Sequence, residues 1–217
     1  MTPPEPPRRL KTLAHMHEGR DWLVATCPAM ARAHEIGGAF PLRLRPGGFA
    51  MLMRAIIGQQ VSTAAAQAIW RKTEAQLGVV SPRRVLAASD EELRAGGLSA
   101  AKARYARALA SHVESGALNF KRLAYLTDDE VRTALTAVPG IGVWTADIYL
   151  LAAMGRADAF PVGDLALQEA ARDLWGHATR PSPKQFEDLS QIWRPWRGVA
   201  ARMLWQYYSA VRNREIE

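Results

Sequence analysis

Two short stretches carry residues whose types and spacing could do chemistry. The first is Pro139–Gly142, with the sequence PGIG, between a capped helix predicted over 128–137 and a second helix starting near Val143. Pro139 stops the first helix, the glycines permit a tight turn, and Ile141 can fill the space where the helices cross. Amides at the start of the second helix then attract an anion such as a nucleic-acid phosphate. The same pattern also fits a plain turn between two packed helices.

The second candidate is Asp164, which follows the sequence FPVG. Aspartate favours the N-cap position, so Asp164 is predicted to begin a helix over 165–175. Sequence position alone favours the capping role over a catalytic one, because caps far outnumber catalytic aspartates. One carboxylate can both cap a helix and act in catalysis. Asp147 and Asp158 are predicted to be surface or capping residues.

The elements that must position these residues are helices. Apolar spacing and helix-start residues predict helices over 63–76, 100–114 and 199–212, while no stretch alternates apolar and polar residues as a strand would. An all-α fold of about ten short helices is therefore predicted, with a small sheet in the first 45 residues left open. The predicted helix starts are Ser62, Ser81-Pro82, Ser89, Thr127 and Ser182.

Composition narrows the function classes. The net charge of +7 over 217 residues favours a polyanionic partner, with nucleic acid first. Cys27 is the one cysteine, which excludes a disulfide within the chain and a cysteine-held zinc or iron–sulfur site. No apolar run reaches 18 residues, and Met1–Arg9 lacks the apolar core of a secretory signal, so an intracellular protein without a membrane span is expected. The Pro-rich residues 1–12 are expected to form a flexible extension.

The sequence also resembles a known family. The run LTAVPGIGVWTADIYLL followed by GRADAFPVGD is similar to the helix-hairpin-helix–Gly/Pro/Asp superfamily of DNA glycosylases, and most similar to its 3-methyladenine DNA glycosylase II family. The resemblance covers roughly residues 45–210. Further matching stretches are Arg54–Ala66, Gly97–Ala110 and Trp193–Trp205.

The resemblance implies two helical lobes with a cleft between them and little or no β-structure. A helical core over 13–217 would divide into a central lobe of about 45–155, which contains the hairpin, and a second lobe made of the N-terminal segment with about 156–217. The bacterial type member carries an extra N-terminal β-rich domain. Only about 45 residues precede the shared core here, so most of that domain is expected to be missing.

The resemblance assigns the reaction. Asp164 matches the catalytic aspartate, which stabilises the positive charge that develops on the sugar and orients water. Trp144 stands where strand-cleaving members carry a lysine, and a Schiff base needs an amine, so hydrolysis without strand cleavage is expected. Because no cysteine follows Cys27, the branches that hold an iron–sulfur cluster are disfavoured.

The resemblance also assigns a base pocket to Trp144, Trp205, Ile148 and Leu165. A Trp face attracts a cationic base, although both tryptophans also fit ordinary core packing. Ile148 and Leu165 replace aromatic residues of the family. Trp193 and Trp196 are predicted to be core residues.

In the family, a wedge residue fills the gap that a flipped base leaves in the duplex. The resemblance assigns this position to Gln60, with Gln59 beside it. The alternative interpretation is that Gln59 and Gln60 belong to a solvated polar loop. Arg194 and Arg197 fit either phosphate contacts or ion pairs with carboxylates, and Lys102 and Arg104 fit either DNA contacts or a solvated helix face.

The hairpin residues expected to contact DNA are Gly140, Ile141, Gly142 and Thr145. The resemblance further implies a monovalent cation, Na⁺ or K⁺, held by the backbone carbonyls of three hairpin residues and bridging to phosphate. No cofactor is expected for the chemistry itself. The three carbonyls are those of Thr136, Val138 and Gly140.

We therefore expect a monomeric monofunctional glycosylase that flips alkylated purines such as 3-methyladenine and 7-methylguanine out of double-stranded DNA and hydrolyses the glycosidic bond. Two alternatives stay open: a monofunctional glycosylase for deaminated or mismatched bases, and a non-catalytic DNA-binding protein that uses its hairpin only for phosphates.

Overall fold

The computed structural model describes residues 9–212, and the regular secondary structure of this part of the chain is helical. It contains no strand; an isolated bridge pairs Arg9 with Arg156. The predicted all-α fold is confirmed, with more helices than the ten expected. A π-helical stretch spans Tyr149–Ala153, and a 3₁₀ turn spans Gln191–Trp193. The helices are α1 Leu13–Thr26, α2 Pro28–Gly37, α3 Phe49–Gly58, α4 Thr63–Leu77, α5 Pro82–Ala87, α6 Asp90–Ala95, α7 Ala100–Glu114, α8 Phe120–Leu123, α9 Asp128–Thr136, α10 Val143–Ile148, α11 Leu165–Trp175, α12 Pro183–Ser190 and α13 Arg197–Arg212.

Local side chains fix where most helices begin. The hydroxyls of Ser62 and Ser81 accept hydrogen bonds from amides in the first turns of α4 and α5. Ser89, Thr127 and Ser182 form complete capping boxes. Each cap satisfies an amide that would otherwise lack a partner, and is worth about 1 kcal/mol. The predicted helix starts at all five positions are confirmed.

The chain divides into two compact units. One contains the residues up to Leu44 and those from Leu150 onward, and the other is Arg45–Tyr149. In the first unit, α13 packs against α1, α2 and α11. An aromatic cluster of Phe160, Phe186 and Trp193, with ring centroids 5.0–6.2 Å apart, forms part of its core.

Buried arginines of the first unit are used structurally. Arg202 donates to the carbonyls of Leu42, Leu151 and Gly198, and burial lowers its pKa to about 10. Arg197 forms a two-pronged ion pair with Asp158, at 3.0 and 2.8 Å. Of the two readings for Arg197, the ion pair with a carboxylate is therefore the one observed.

In the second unit, α7 packs against α3, α5 and α6. Its basic side chains cap neighbouring helices: Lys102 Nζ donates to the Ile57 carbonyl at 2.6 Å, and Arg107 donates to the Ala88 carbonyl at 2.8 Å. Lys102 therefore makes a hydrogen bond within the unit, which neither of the two sequence-based interpretations predicted.

The expected flexible extension over residues 1–12 lies mostly outside the described residues. Its described end is packed, because Leu10 is buried and its N–H donates to the Gly155 carbonyl at 2.6 Å. Thr12 then caps α1 by accepting from the His15 amide. Among residues 9–212, no helix is long and apolar enough to cross a membrane.

Candidate functional site

The hairpin between α9 and α10 has the predicted tight turn. Gly140 adopts a φ of 91°, and a Cβ at this position would overlap the ring of Tyr105. Ile141 is buried, and its N–H donates to the Val138 carbonyl at 3.0 Å. Gly140 is therefore required both by its backbone conformation and by its close approach to α7.

The second glycine has a different role. Gly142 is the N-cap of α10 with an extended backbone, φ −90° and ψ 171°, which any residue can adopt. It is exposed, and a Cβ there would meet no atom within 4 Å. No side chain caps α10, so the amides of its first turn are not covered by one. The absent side chain leaves room for a ligand to approach these amides.

A buried ion pair joins the two hairpin helices. Arg132 Nε on α9 donates to Asp147 Oδ1 on α10 at 2.6 Å, and the Asp147 side chain is only 3% exposed. Asp147 is thus neither a surface nor a capping residue, contrary to the sequence-based prediction. The pair fixes the two helices to each other.

Asp164 is the N-cap of α11, as predicted. Its Oδ1 accepts from the Leu167 amide at 3.1 Å and from Trp205 Nε1 at 3.1 Å. The loop before it is fixed as well, because Gln168 Nε2 donates to the Val162 carbonyl at 2.6 Å. Asp164 as a whole is 9% exposed. These two N–H donors set the orientation of its carboxylate.

Trp205 contributes more than the predicted aromatic face. It is half-buried, and its indole N–H is one of the two donors that orient the Asp164 carboxylate. Sequence reasoning missed this contact, since the two residues are 41 positions apart. Leu165, also predicted for the base pocket, is 59% exposed and lines a cleft of about 490 Å³ with Tyr208 and Arg212.

The other predicted pocket residues lie in the unit Arg45–Tyr149. Trp144 and Ile148 line a largely apolar cavity of about 700 Å³, within the size range of small-molecule sites. Trp144 is 47% exposed, so its indole is accessible for stacking. Thr145, expected to contact DNA, is buried and lines the same cavity.

Sequence reasoning did not assign several residues of this cavity to a site, among them Met51, Ala55 and Tyr149. The Tyr149 hydroxyl accepts from the Gly48 amide at 2.9 Å, and desolvation raises the pKa of the phenol, so it stays neutral at physiological pH. The helical spacing of Met51 and Ala55 on α3 is the signal that could have placed them on one face.

The two glutamines predicted to act as a wedge differ sharply. Gln60 is exposed and adopts a left-handed backbone, with φ 58°, in the short connection between α3 and α4. Gln59 is half-buried, and its Nε2 donates to the Gly140 carbonyl at 2.7 Å. Only Gln60 has an exposed side chain.

The three carbonyls expected to hold a monovalent cation are those of Thr136, Val138 and Gly140. Val138 and Gly140 each accept one hydrogen bond, from the Ile141 N–H and from Gln59. A carbonyl oxygen has two lone pairs, so one bond does not exhaust either acceptor. The monovalent cation at these carbonyls stays a prediction.

Comparison with known proteins places the chain in a family. A family profile described as HhH-GPD superfamily base excision DNA repair protein matches residues 53–195. This match includes the hairpin, Trp144 and Asp164. The chain belongs to the HhH-GPD superfamily of base excision DNA repair proteins.

Relatives within this superfamily are named 3-methyladenine DNA glycosylases. The chain is 30% identical over 159 residues to DNA-3-methyladenine glycosylase 1 of Schizosaccharomyces pombe, covering 71% of this chain and 70% of that protein. A crystal structure of a DNA-3-methyladenine glycosidase from Bacillus halodurans matches with a TM-score of 0.82 and 33% identity, over 95% of this chain and 94% of that one. The S. pombe enzyme Mag1 in complex with abasic DNA matches with a TM-score of 0.77 and 26% identity, over 87% and 95%. The predicted family resemblance is confirmed.

Proposed function

We propose that this protein is a monofunctional DNA glycosylase that removes alkylated purines from double-stranded DNA. The observation that carries the proposal is the Asp164 carboxylate, oriented by the first turn of α11 and by the indole N–H of Trp205. The names of the relatives, several of which are 3-methyladenine glycosylases, support the substrate class.

The reaction is hydrolysis of the N-glycosidic bond. The bond between C1′ and the base nitrogen breaks, and its electron pair leaves with the base, so the sugar gains oxocarbenium character. The carboxylate of Asp164 stabilises that charge and orients a water molecule, whose oxygen bonds to C1′ while its proton passes to solvent. An alkylated purine already carries positive charge and departs without a strong general acid, so a single carboxylate is sufficient.

The residues support hydrolysis without strand cleavage. A lyase step needs an amine to form a Schiff base with C1′. The position that carries the lysine in strand-cleaving relatives is Trp144 here, whose indole is not such a nucleophile. The exposed ring of Trp144 lines an apolar cavity and suits stacking on a cationic base.

DNA would be held by its backbone at the hairpin. The open space at Gly142 and the uncapped start of α10 suit a phosphate, and a monovalent cation on the carbonyls of Thr136, Val138 and Gly140 would add positive charge there. The net charge of +7 favours the same partner. Flipping the base costs a few kcal/mol, and Gln60 is the side chain proposed to fill the vacated space.

The test is release of free base from methylated DNA by the wild type and by Asp164→Asn. Asparagine also caps helices well, so this variant keeps the start of α11 while removing the negative charge. We expect loss of about 10²–10⁴-fold in rate with DNA binding retained. The matched control is Asp188→Asn, an exposed aspartate on α12 paired with Lys184, which should leave the rate unchanged.

Other outcomes decide between the alternatives. Full activity of Asp164→Asn would refute the assignment of the acid. Release of uracil, thymine or hypoxanthine but no alkylated purine would favour a glycosylase for neutral bases, which the aliphatic residues Ile148 and Leu165 keep open. Salt-sensitive DNA binding with no base released from any lesion would favour a non-catalytic binding protein.

A further inference from the structure

The connection between α3 and α4 is tied to the hairpin by one side chain. Gln59 Nε2 donates to the Gly140 carbonyl at 2.7 Å, across 81 residues of sequence. Gln60, the next residue, is exposed and left-handed. The Gln59 side chain therefore joins the segment that presents Gln60 to the turn that precedes the amides of α10.

Helix α7 contacts both of these segments. Lys102 Nζ donates to the carbonyl of Ile57, two residues before Gln59, at 2.6 Å. Tyr105, one helical turn further along α7, lies against Gly140 so closely that a Cβ there would overlap its ring. The connection and the hairpin are thus fixed to the same face of one helix and, through Gln59, to each other.

The backbone of Gln60 needs such support. A left-handed conformation is unfavourable for a residue with a side chain, and persists where the surrounding structure determines it. The Gln59 bond precedes Gln60, and Ser62, whose hydroxyl accepts from the Ala65 amide at 3.3 Å, follows it. A flexible glutamine side chain can resist displacement only if its backbone is held in this way.

We propose that Gln59 is a positioning residue that sets the register between Gln60 and the hairpin. When the hairpin binds a phosphate, the Gln59 bond places the Gln60 side chain at a fixed distance along the duplex, where the extruded nucleotide leaves space. This role replaces the expectation that Gln59 is itself part of the wedge. The proposal rests on the proposed function, because it takes Gln60 to be the residue that fills the gap.

The test is a double-mutant cycle on DNA binding, which requires no chemical step. Gln59→Met keeps the length of the side chain and removes the hydrogen bond, Gln60→Ala removes the wedge, and Gln76→Met on α4 is the matched control at an exposed glutamine. Affinity is measured for a duplex with a tetrahydrofuran abasic-site analogue and for the same duplex undamaged.

We expect Gln59→Met to reduce the preference for the abasic duplex about fivefold, the loss typical of one hydrogen bond. The double variant should then equal Gln60→Ala alone, because Gln59 acts only through Gln60. Additive losses in the double variant would overturn the proposal, as would an unchanged preference in Gln59→Met. Gln76→Met should match the wild type.

A second measurement tests the link in the free protein, so that it stands apart from the proposed function. Gln59→Met should speed hydrogen exchange in peptides covering residues 56–64 and 137–145 together, with no change in Gln76→Met. Unchanged exchange in either peptide would overturn the proposal even if the wild type releases alkylated bases. Conversely, coupled exchange with no base release from the wild type would count against the glycosylase assignment and leave the Gln59 link standing.

Discussion

The two units carry their candidate functional groups in contrasting ways. In the unit Arg45–Tyr149 the hairpin presents backbone amides, and its shape is set by contacts of the buried Asp147 and the half-buried Tyr105. In the other unit the functional group is a side chain, the Asp164 carboxylate, oriented by two hydrogen bonds. Variants of the hairpin should therefore change stability and DNA affinity, whereas variants around Asp164 should change the rate.

The largest effect on stability is expected from Asp147→Asn. Removing one charge of a buried ion pair leaves Arg132 without its full partner, and we expect a loss of about 3 kcal/mol in the free energy of unfolding. Urea denaturation measures it. Asp129→Asn is the matched control, since Asp129 pairs with the same arginine but is 94% exposed, and should cost under about 0.5 kcal/mol. Equal losses in both variants would contradict a special role for the buried pair.

Gly140→Ala should come next. Its Cβ would overlap the Tyr105 ring, and alanine disfavours a φ of 91°, so we expect about 2 kcal/mol of destabilisation. DNA affinity should fall as the turn shifts. The double variant Gly140→Ala/Tyr105→Ala relieves the overlap and should recover part of the affinity; no recovery would place the defect in the backbone conformation alone.

Trp205→Phe addresses the other unit. It keeps an aromatic face and removes the N–H that orients Asp164, so base release should slow about tenfold, the effect of losing one hydrogen bond to a charged group. Single-turnover kinetics measure the rate, and DNA affinity should be unchanged. A fall in DNA affinity with no change in the rate of base release would contradict the assignment of binding to one unit and of the reaction to the other.

The smallest effect is expected from Gly142→Ala. The added methyl group meets no protein atom within 4 Å, and the extended backbone accepts alanine, so stability should stay within about 0.5 kcal/mol. Only a bound phosphate would be crowded, which predicts a reduction in DNA affinity of about threefold. Titrations at two salt concentrations separate this effect from a general electrostatic one. Unchanged affinity would mean that phosphate does not approach Gly142.

The features predictable from sequence are those governed by neighbours along the chain. Helix α7 was predicted with its observed bounds, and the structure shows why a local pattern suffices, because Ser99 caps its first turn. Asp164 was recognised as a cap for the same reason. The all-α fold follows from many such local signals.

What could not be predicted depends on contacts between distant residues. The Arg132–Asp147 pair, the Trp205–Asp164 bond and the Gln59–Gly140 bond join positions 15, 41 and 81 residues apart. Asp147 was misassigned because no local pattern marks a carboxylate for burial. The base pocket and the DNA contacts stay predictions that the variants above test.

The proposed double role of Asp164, as catalytic acid and as N-cap of α11, has a consequence for which variants can persist in a population. Residues that cap a helix well, such as Asn, Ser and Thr, would preserve the start of α11 while removing the acid, whereas apolar replacements would lose both. Loss of activity at this position would therefore pass through folded, DNA-binding intermediates rather than through misfolded ones. Under the proposed function, such proteins would bind damaged sites without releasing the base.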